Sequence, residues 1–257
     1  MSYLIICAVA FLASALTFFS GFGLGTLLLP AFAVFFAIEK AVALTAVVHF
    51  LNGLFKLLLL WRQVDRAIVI RFGVLAFVGA LAGACTLLWL ADTRALVSYS
   101  LWGRTVEVAP AKLVVGLLLL VFACAEMLPA FRQITFPARY LPLGGLLSGF
   151  FGGLAGMQGA LRSAFLIKAG LAKEAYVATG AAIAFLIDVS RLSVYAQLFV
   201  QHRAEFDFTL LAAAVIAALA GALLGNRHLP QVTLSGIRNI VAALLFAVAL
   251  GLISGVL

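Results

Sequence analysis

The chain has 257 residues, of which 66% are hydrophobic and only 10% charged, with 17 Lys and Arg against 9 Asp and Glu. That balance excludes a water-soluble domain, because no soluble fold of this length needs so much apolar surface to build its core. The cation excess falls mainly in short connections between apolar stretches, where anionic lipid and the positive-inside rule place it, so it speaks for membrane topology and against nucleic acid as a partner.

The first apolar stretch covers residues 3–38. Its start, Leu4 to Leu12 followed by Ala13-Ser14-Ala15, has the small residues of a cleavage site, but no Lys or Arg precedes it and the apolar pattern runs on to Ile38. It therefore reads as a retained membrane segment. A helix of about 20 residues crosses the hydrocarbon core, so this stretch is too long for one crossing. It is also interrupted, at Ser20-Gly21-Phe22-Gly23-Leu24-Gly25. Segments at 41–61, 68–91 and 112–130 follow. The longer connection from Ala91 to Lys112 carries Tyr99, Trp102 and Arg104, which suit the membrane interface, and reads as a loop without an assigned function. The fifth segment, 139–170, is again too long and again glycine-broken, at Ser148-Gly149-Phe150-Phe151-Gly152-Gly153 and on through Gly156 and Gly159. Segments at 175–200, 207–226 and 236–256 complete a set of eight.

Each broken segment opens a group of four, which points to a duplication. Sliding one half over the other places Ala41 and Thr45 on Ala175 and Thr179, and Glu39-Lys40 on Lys173-Glu174. The run from Gly79 to Gly83 then falls on the run from Gly221 to Gly225. The predicted fold is an all-α polytopic membrane protein of two homologous halves, residues 1–131 and 132–257. Glycines four apart share a helical face and let backbones approach closely, either inside one chain or between the copies of a homodimer.

Loop charge separates eight crossings from ten. Eight crossings divide the loop cations almost evenly. If each broken segment is a hairpin, Arg62, Arg66, Arg71, Arg132, Arg139, Lys168, Lys173, Arg227 and Arg238 share one side, against Lys40, Arg94, Arg104, Lys112 and Arg203 on the other. Ten helices also give each half an odd number, so the halves run in opposite directions, the inverted repeat common in secondary transporters.

Backbone groups freed at a glycine break inside hydrocarbon must find partners in protein, water or a ligand. Breaks at matching positions in two halves point to a substrate site near the midplane. The helix that starts after each break presents free N–H groups and a positive dipole end, suited to a small anion. The alternative is that Gly21, Gly23, Gly25, Gly152, Gly153 and Gly156 serve tight packing alone.

Ionisable residues at membrane depth are the second signal, since each costs about 2.5–3.5 kcal/mol to insert unless it faces the protein interior. His49, Asn52 and Lys56 share one face of the second segment, and Asp188, Arg191 and Tyr195 repeat that spacing in the sixth. Asp188 and Arg191 either neutralise one another within the helix or line a polar path. Lys56 lies near its segment end and can snorkel. Arg162 follows Gly156, Gln158 and Gly159, where a guanidinium stands beside helix-end donors and suits a bidentate oxyanion.

These residues carry a family resemblance. The run from Gly21 to Pro30, then Ala41 to Ala46 and Asn52, resembles the first repeat of the sulfite exporter TauE/SafE family of membrane transporters, and Gly152 to Gly156, Lys173-Glu174-Ala175 and Thr179 echo it. The resemblance spans essentially the whole chain. It implies secondary transport of a small sulfur-containing or carboxylate anion, such as sulfite, sulfoacetate or thiosulfate, across a bacterial inner membrane. It also implies substrate contacts at Gly21, Gly23, Gly25, Thr45, Asn52, Gly152, Gly153, Gly156 and Thr179. Ser163-Ala164 replaces the repeat proline of the second half, and Asp188 stands near the expected asparagine. We accordingly add Gln158, Arg162 and Arg191 to the expected anion contacts, with Asp188 and His49 as candidates for proton coupling.

A membrane enzyme is the competing class. The chain lacks His-Glu-x-x-His, Gly-x-Ser-x-Gly and clustered metal ligands, and of its three histidines His202 and His228 fall in connections. Cys7, Cys85 and Cys124 lie in apolar stretches without metal or redox spacing and read as packing residues. No cofactor or metal is expected. An anion channel, or a carrier of a small carboxylate or other solute, remains the alternative to a sulfur-anion transporter.

Overall fold

The structure is a computed structural model that describes residues 2–17, 23–101, 103–128, 134–228 and 234–257. Gly21, Trp102 and Arg132, all used above, lie outside the described residues. Among the described residues are ten α-helices: α1 (Ser2–Thr17), α2 (Leu24–Ala33), α3 (Ile38–Leu60), α4 (Arg66–Ala91), α5 (Pro110–Met127), α6 (Leu141–Ala155), α7 (Gly159–Leu166), α8 (Lys173–Gln201), α9 (Phe208–His228) and α10 (Leu234–Ser254). The spans Ile38–Gln63, Arg66–Ala91 and Lys173–Gln201 are each long and apolar enough to cross a membrane. The chain is a helical membrane protein.

The second glycine break is a hairpin. Gly156 sits at φ 72°, in the left-handed region that ends α6, and its N–H donates to Gly152 O at 2.9 Å. The chain then doubles back. Gly144 in the first turn of α6 lies against the ring of Phe165 in the last turn of α7, and Ser148 Oγ donates to Gln158 O at 3.0 Å. The helices that follow the two breaks, α2 with 10 residues and α7 with 8, rise roughly 15 and 12 Å, about half of a hydrocarbon core.

Helices α4 and α9 start by the same device. A single 3-10 turn, Trp61–Gln63 or Arg203–Glu205, is followed by an aspartate whose side chain accepts the N–H three residues on: Asp65 from Ile68 at 3.0 Å, Asp207 from Leu210 at 2.9 Å. Beyond the Asp65 cap, α4 carries one π-helical turn, Val69–Gly73.

Packing is organised around small residues. Gly79 and Gly83 of α4 face the carbonyls of Leu146 and Phe150, while Gly145, Gly149 and Gly153 of α6 face those of Phe72, Ala76 and Ala80. A β-carbon at any of these positions would meet backbone, so the two helices interlock at backbone distance. Gly221 of α9 approaches Phe11 O of α1 in the same way. Gly79, Gly83 and Gly221 are therefore packed inside one chain. The strongest helix pairs are α4 with α6, α1 with α9, α5 with α10 and α3 with α8. Exchanging the first five helices for the last five leaves that set unchanged.

The connection read as a loop is instead an antiparallel ribbon, β1 (Val97–Leu101) and β2 (Arg104–Val108), with Val97 opposite Val108 and Leu101 opposite Arg104. The alternation of Val97-Ser98-Tyr99-Ser100-Leu101 and Gly103 at φ 77° are the signals that the loop reading passed over. The ribbon is tied to the end of α10, because Tyr99 Oη donates to Ser254 O at 2.6 Å and Gly255, at φ 78°, packs on Glu107 O. Among the described residues the fold is all-α apart from this one ribbon.

Candidate functional site

Helices α3 and α8 cross antiparallel through the centre of the molecule. His49 meets Asp188, and one residue further along α3 the ring of Phe50 stacks on Phe185 at 5.3 Å between centroids. The register these pairs set brings His49 of one polar face read from the sequence against Asp188 of the other. It also puts Thr45, one turn before His49, at the level of Arg191.

The contact is a dense polar cluster around one carboxylate. His49 Nδ1 lies 2.6 Å from Asp188 Oδ2. Arg191 Nε donates to Asp188 Oδ1 at 2.9 Å, and its Nη2 lies 2.7 Å from the same oxygen without a directed hydrogen bond. Gln158 Nε2 adds a longer contact to Oδ1 at 3.4 Å. Asp188, Arg191 and Gln158 are fully buried, and His49 is 7% exposed. The intrahelical pair of Asp188 and Arg191 is thus real, and it is also more than a local neutralisation, because groups from α3 and from the α6–α7 turn join it. The pairing of Asp188 with Arg191 and His49 offsets the cost of taking its charge out of water.

The glycine breaks of both halves close on this cluster. Arg191 Nη1 donates to Gly152 O at 3.2 Å, and a β-carbon on Gly156 would stand 3.1 Å from the same nitrogen. A β-carbon on Gly25 would stand 2.6 Å from Gly156 O, and one on Gly23 would stand 3.7 Å from Gly159 N. Gly23 caps α2 and Gln158 caps α7, so the positive ends of two half-length helices face each other beside Arg191. Gln158 Oε1 in the cluster, Thr45 Oγ1 one turn before His49 and Arg162 Nη1 one turn beyond Gln158 are buried without a hydrogen-bond partner. Buried polar atoms of that kind are uncommon and mark places where a ligand, ion or water completes the set.

Other residues singled out in the sequence have separate surroundings. Asn52 Oδ1 accepts from Ser14 Oγ of α1 at 2.9 Å. Thr179 Oγ1 accepts the N–H of Asp65 at 2.9 Å, at the opposite end of α8 from Arg191. Gly153 faces α4 through Ala80, and its carbonyl accepts from Tyr195 Oη. Arg162 lies beside Gly180 of α8 and within electrostatic reach of Lys56 and Asp188. Ser14 and Ser148 were not anticipated, and their only signal was a hydroxyl beside small residues in an apolar stretch.

A cleft of about 500 Å³ opens on the same face of α8, lined by Glu39, Asp92, Gln197, Leu198, Gln201 and His202 among others. Fully buried Tyr195 stands between it and Arg191 along the helix. Near the rim, Glu205 pairs with Lys40 and with His202 Nδ1, the latter at 2.8 Å. The hydrogen bond from Lys40, then that from His202, holds the Glu205 carboxyl below its ordinary range.

The helical membrane fold, the two glycine breaks meeting at Gly25 and Gly156 and the buried charges beside them define a polytopic membrane protein organised around an interior polar site. The family model described as Sulfite exporter TauE/SafE matches residues 6–252, and the chain belongs to this family of membrane transporters. Comparison with curated proteins and with solved structures finds no match.

Proposed function

We propose that the chain is a secondary transporter of a small anion in a bacterial inner membrane, with a sulfur-containing oxyanion or organosulfonate such as sulfite, sulfoacetate or thiosulfate as substrate. The observation that carries this reading is the contact of the two breaks, Gly25 against Gly156, beside the buried guanidinium of Arg191. Two helix N-termini and an arginine converge there, and all three favour negative charge. Membership of the TauE/SafE family supports the substrate class.

In this reading Gly23, Gly25, Gly152, Gly156, Gln158, Thr45, Arg162 and Arg191 surround the anion, while Asp188 and His49 couple its movement to protons. Asn52, Gly153 and Thr179 hold the surrounding helices in place. Residues 1–131 and 132–257 form an inverted repeat, a reading supported by five described helices in each half and by helix pairs that survive exchange of the halves. Alternating access then rocks one half against the other about the cluster.

Uptake of radiolabelled sulfite, thiosulfate, sulfoacetate and small carboxylates by proteoliposomes, with and without an imposed pH gradient, tests the proposal. Saturable uptake of one sulfur anion, enhanced by the gradient, is the expected result. Absence of uptake of every member of the panel by folded protein would overturn it.

A further inference from the structure

We infer that the Asp188 carboxylate is a tethered competitor for the anion site, so that the substrate enters only as Asp188 takes up a proton. This rests on the anion-transport reading above and specifies how the same site is regulated. The donors that converge on Asp188 are the set a free oxyanion needs. They are a guanidinium edge from Arg191, an imidazole nitrogen from His49 and an amide from Gln158. They come from three separate elements, yet all are spent on one side chain of the protein itself. Meanwhile Gln158 Oε1, Thr45 Oγ1 and Arg162 Nη1, on the same elements or one turn away, have no partner.

Charge balance turns this occupancy into coupling. With Asp188 ionised, the Asp188–Arg191 pair is neutral, and a further anion would be buried without compensation, which is costly in a site closed to water. Protonating Asp188 releases its hold on Arg191 and His49 and leaves one cation for one anionic group. One negative charge replaces another. A divalent anion finds its second cation in Arg162, which stands within electrostatic reach of Asp188 and has Nη1 unpartnered.

The titratable groups facing Asp188 are His49 from α3, Arg191 on α8 and Arg162 from α7. Helix α6 has no titratable side chain, and Cys85 of α4 faces Tyr195 instead. No second carboxylate reaches the cluster among the described residues, so the competition has one acidic member. His49, in contact with Asp188, is the competing proton carrier that the experiment separates from it.

Thiosulfate is the probe, because its charge is constant through the neutral range. Exchange of labelled thiosulfate is measured in proteoliposomes at equal pH on both sides. For the wild type, the half-saturating concentration should rise about tenfold per pH unit where Asp188 is ionised, as linkage to one proton requires. Asp188→Asn should exchange thiosulfate with a low, pH-independent half-saturation and should not accumulate it under a pH gradient. A flat wild-type profile, or an Asp188→Asn protein that keeps the wild-type slope because His49 carries it, would overturn the proposal while leaving anion transport intact. Absence of exchange by the wild type would remove the transport reading and this proposal with it. Should Asp188→Asn fail to fold, thiosulfate added to wild-type protein in weakly buffered detergent decides the matter. One proton taken up per anion bound supports displacement, and none overturns it.

Discussion

His49 and Asp188 are separated by 139 residues and lie 2.6 Å apart, the one from the first half of the chain and the other from the second. Asp188 is also the only carboxylate paired with the buried Arg191 among the described residues. The two halves are therefore joined at their centre by a charged network rather than by apolar packing alone.

That network makes one stability prediction. Asp188→Ala leaves the Arg191 guanidinium buried and uncompensated, and should cost about 3–5 kcal/mol. A double change of Asp188 and Arg191 to leucine and methionine should recover most of this, because volume is kept and no charge is left alone. Thermal unfolding in detergent of the single and double variants measures the difference. Equal destabilisation by both would show that the charges do not act as a pair.

A second prediction concerns the backbone contact between α4 and α6. Gly83→Ala drives a methyl into Phe150 O and should destabilise by about 1–3 kcal/mol. Gly53→Ala is the control, since nothing lies within 4 Å of a β-carbon there, and helix propensity should stabilise it by up to about 1 kcal/mol. Opposite signs for the two substitutions are expected in the same melting assay.

The Asp65 cap supplies a third. Asp65→Ala removes the acceptor of the Ile68 N–H and should cost about 1 kcal/mol, whereas Asp65→Asn or Asp65→Ser should retain most of the stability. Proteolysis of the α3–α4 connection reports the loosening, and an alanine variant as resistant as the wild type would assign the cap no role.

The fourth is a pH dependence at the rim of the cleft. The Glu205 carboxyl is held below its ordinary range by Lys40 and His202, so the native state favours its ionised form. Its contribution is present above the unfolded carboxyl value of about 4.3 and is lost as pH falls through the lower folded value. Glu205→Gln should melt below the wild type near neutrality, and the gap should close on acidification. A constant gap would mean that charge is not what Glu205 supplies.

Much of the architecture was legible in the chain itself. Charge-free stretches marked the helices, since an apolar stretch of sufficient length has no other stable state in hydrocarbon, and the breaks at Gly23 to Gly25 and Gly152 to Gly159 marked where helices stop and start. The polar spacing of His49 and Asn52, and of Asp188 and Arg191, was visible for the same reason: an ionisable group at membrane depth stands out against its neighbours. The ribbon at Val97–Val108 was missed because five alternating residues inside a short connection resemble any interfacial loop.

Local pattern thus determined the helices, their breaks and the family. It could not determine partners. Two residues on one helical face are placed by 3.6-residue periodicity, but whether Asp188 satisfies Arg191 alone or also His49 depends on how α3 and α8 cross. Likewise, Asn52 turns to Ser14 and Thr179 to the Asp65 N–H, although sliding one half of the sequence over the other sets Thr179 on the unpartnered Thr45. Interhelical register is decided by the interlocking of distant small residues such as Gly83 with Phe150, a constraint that exists only once the helices are packed.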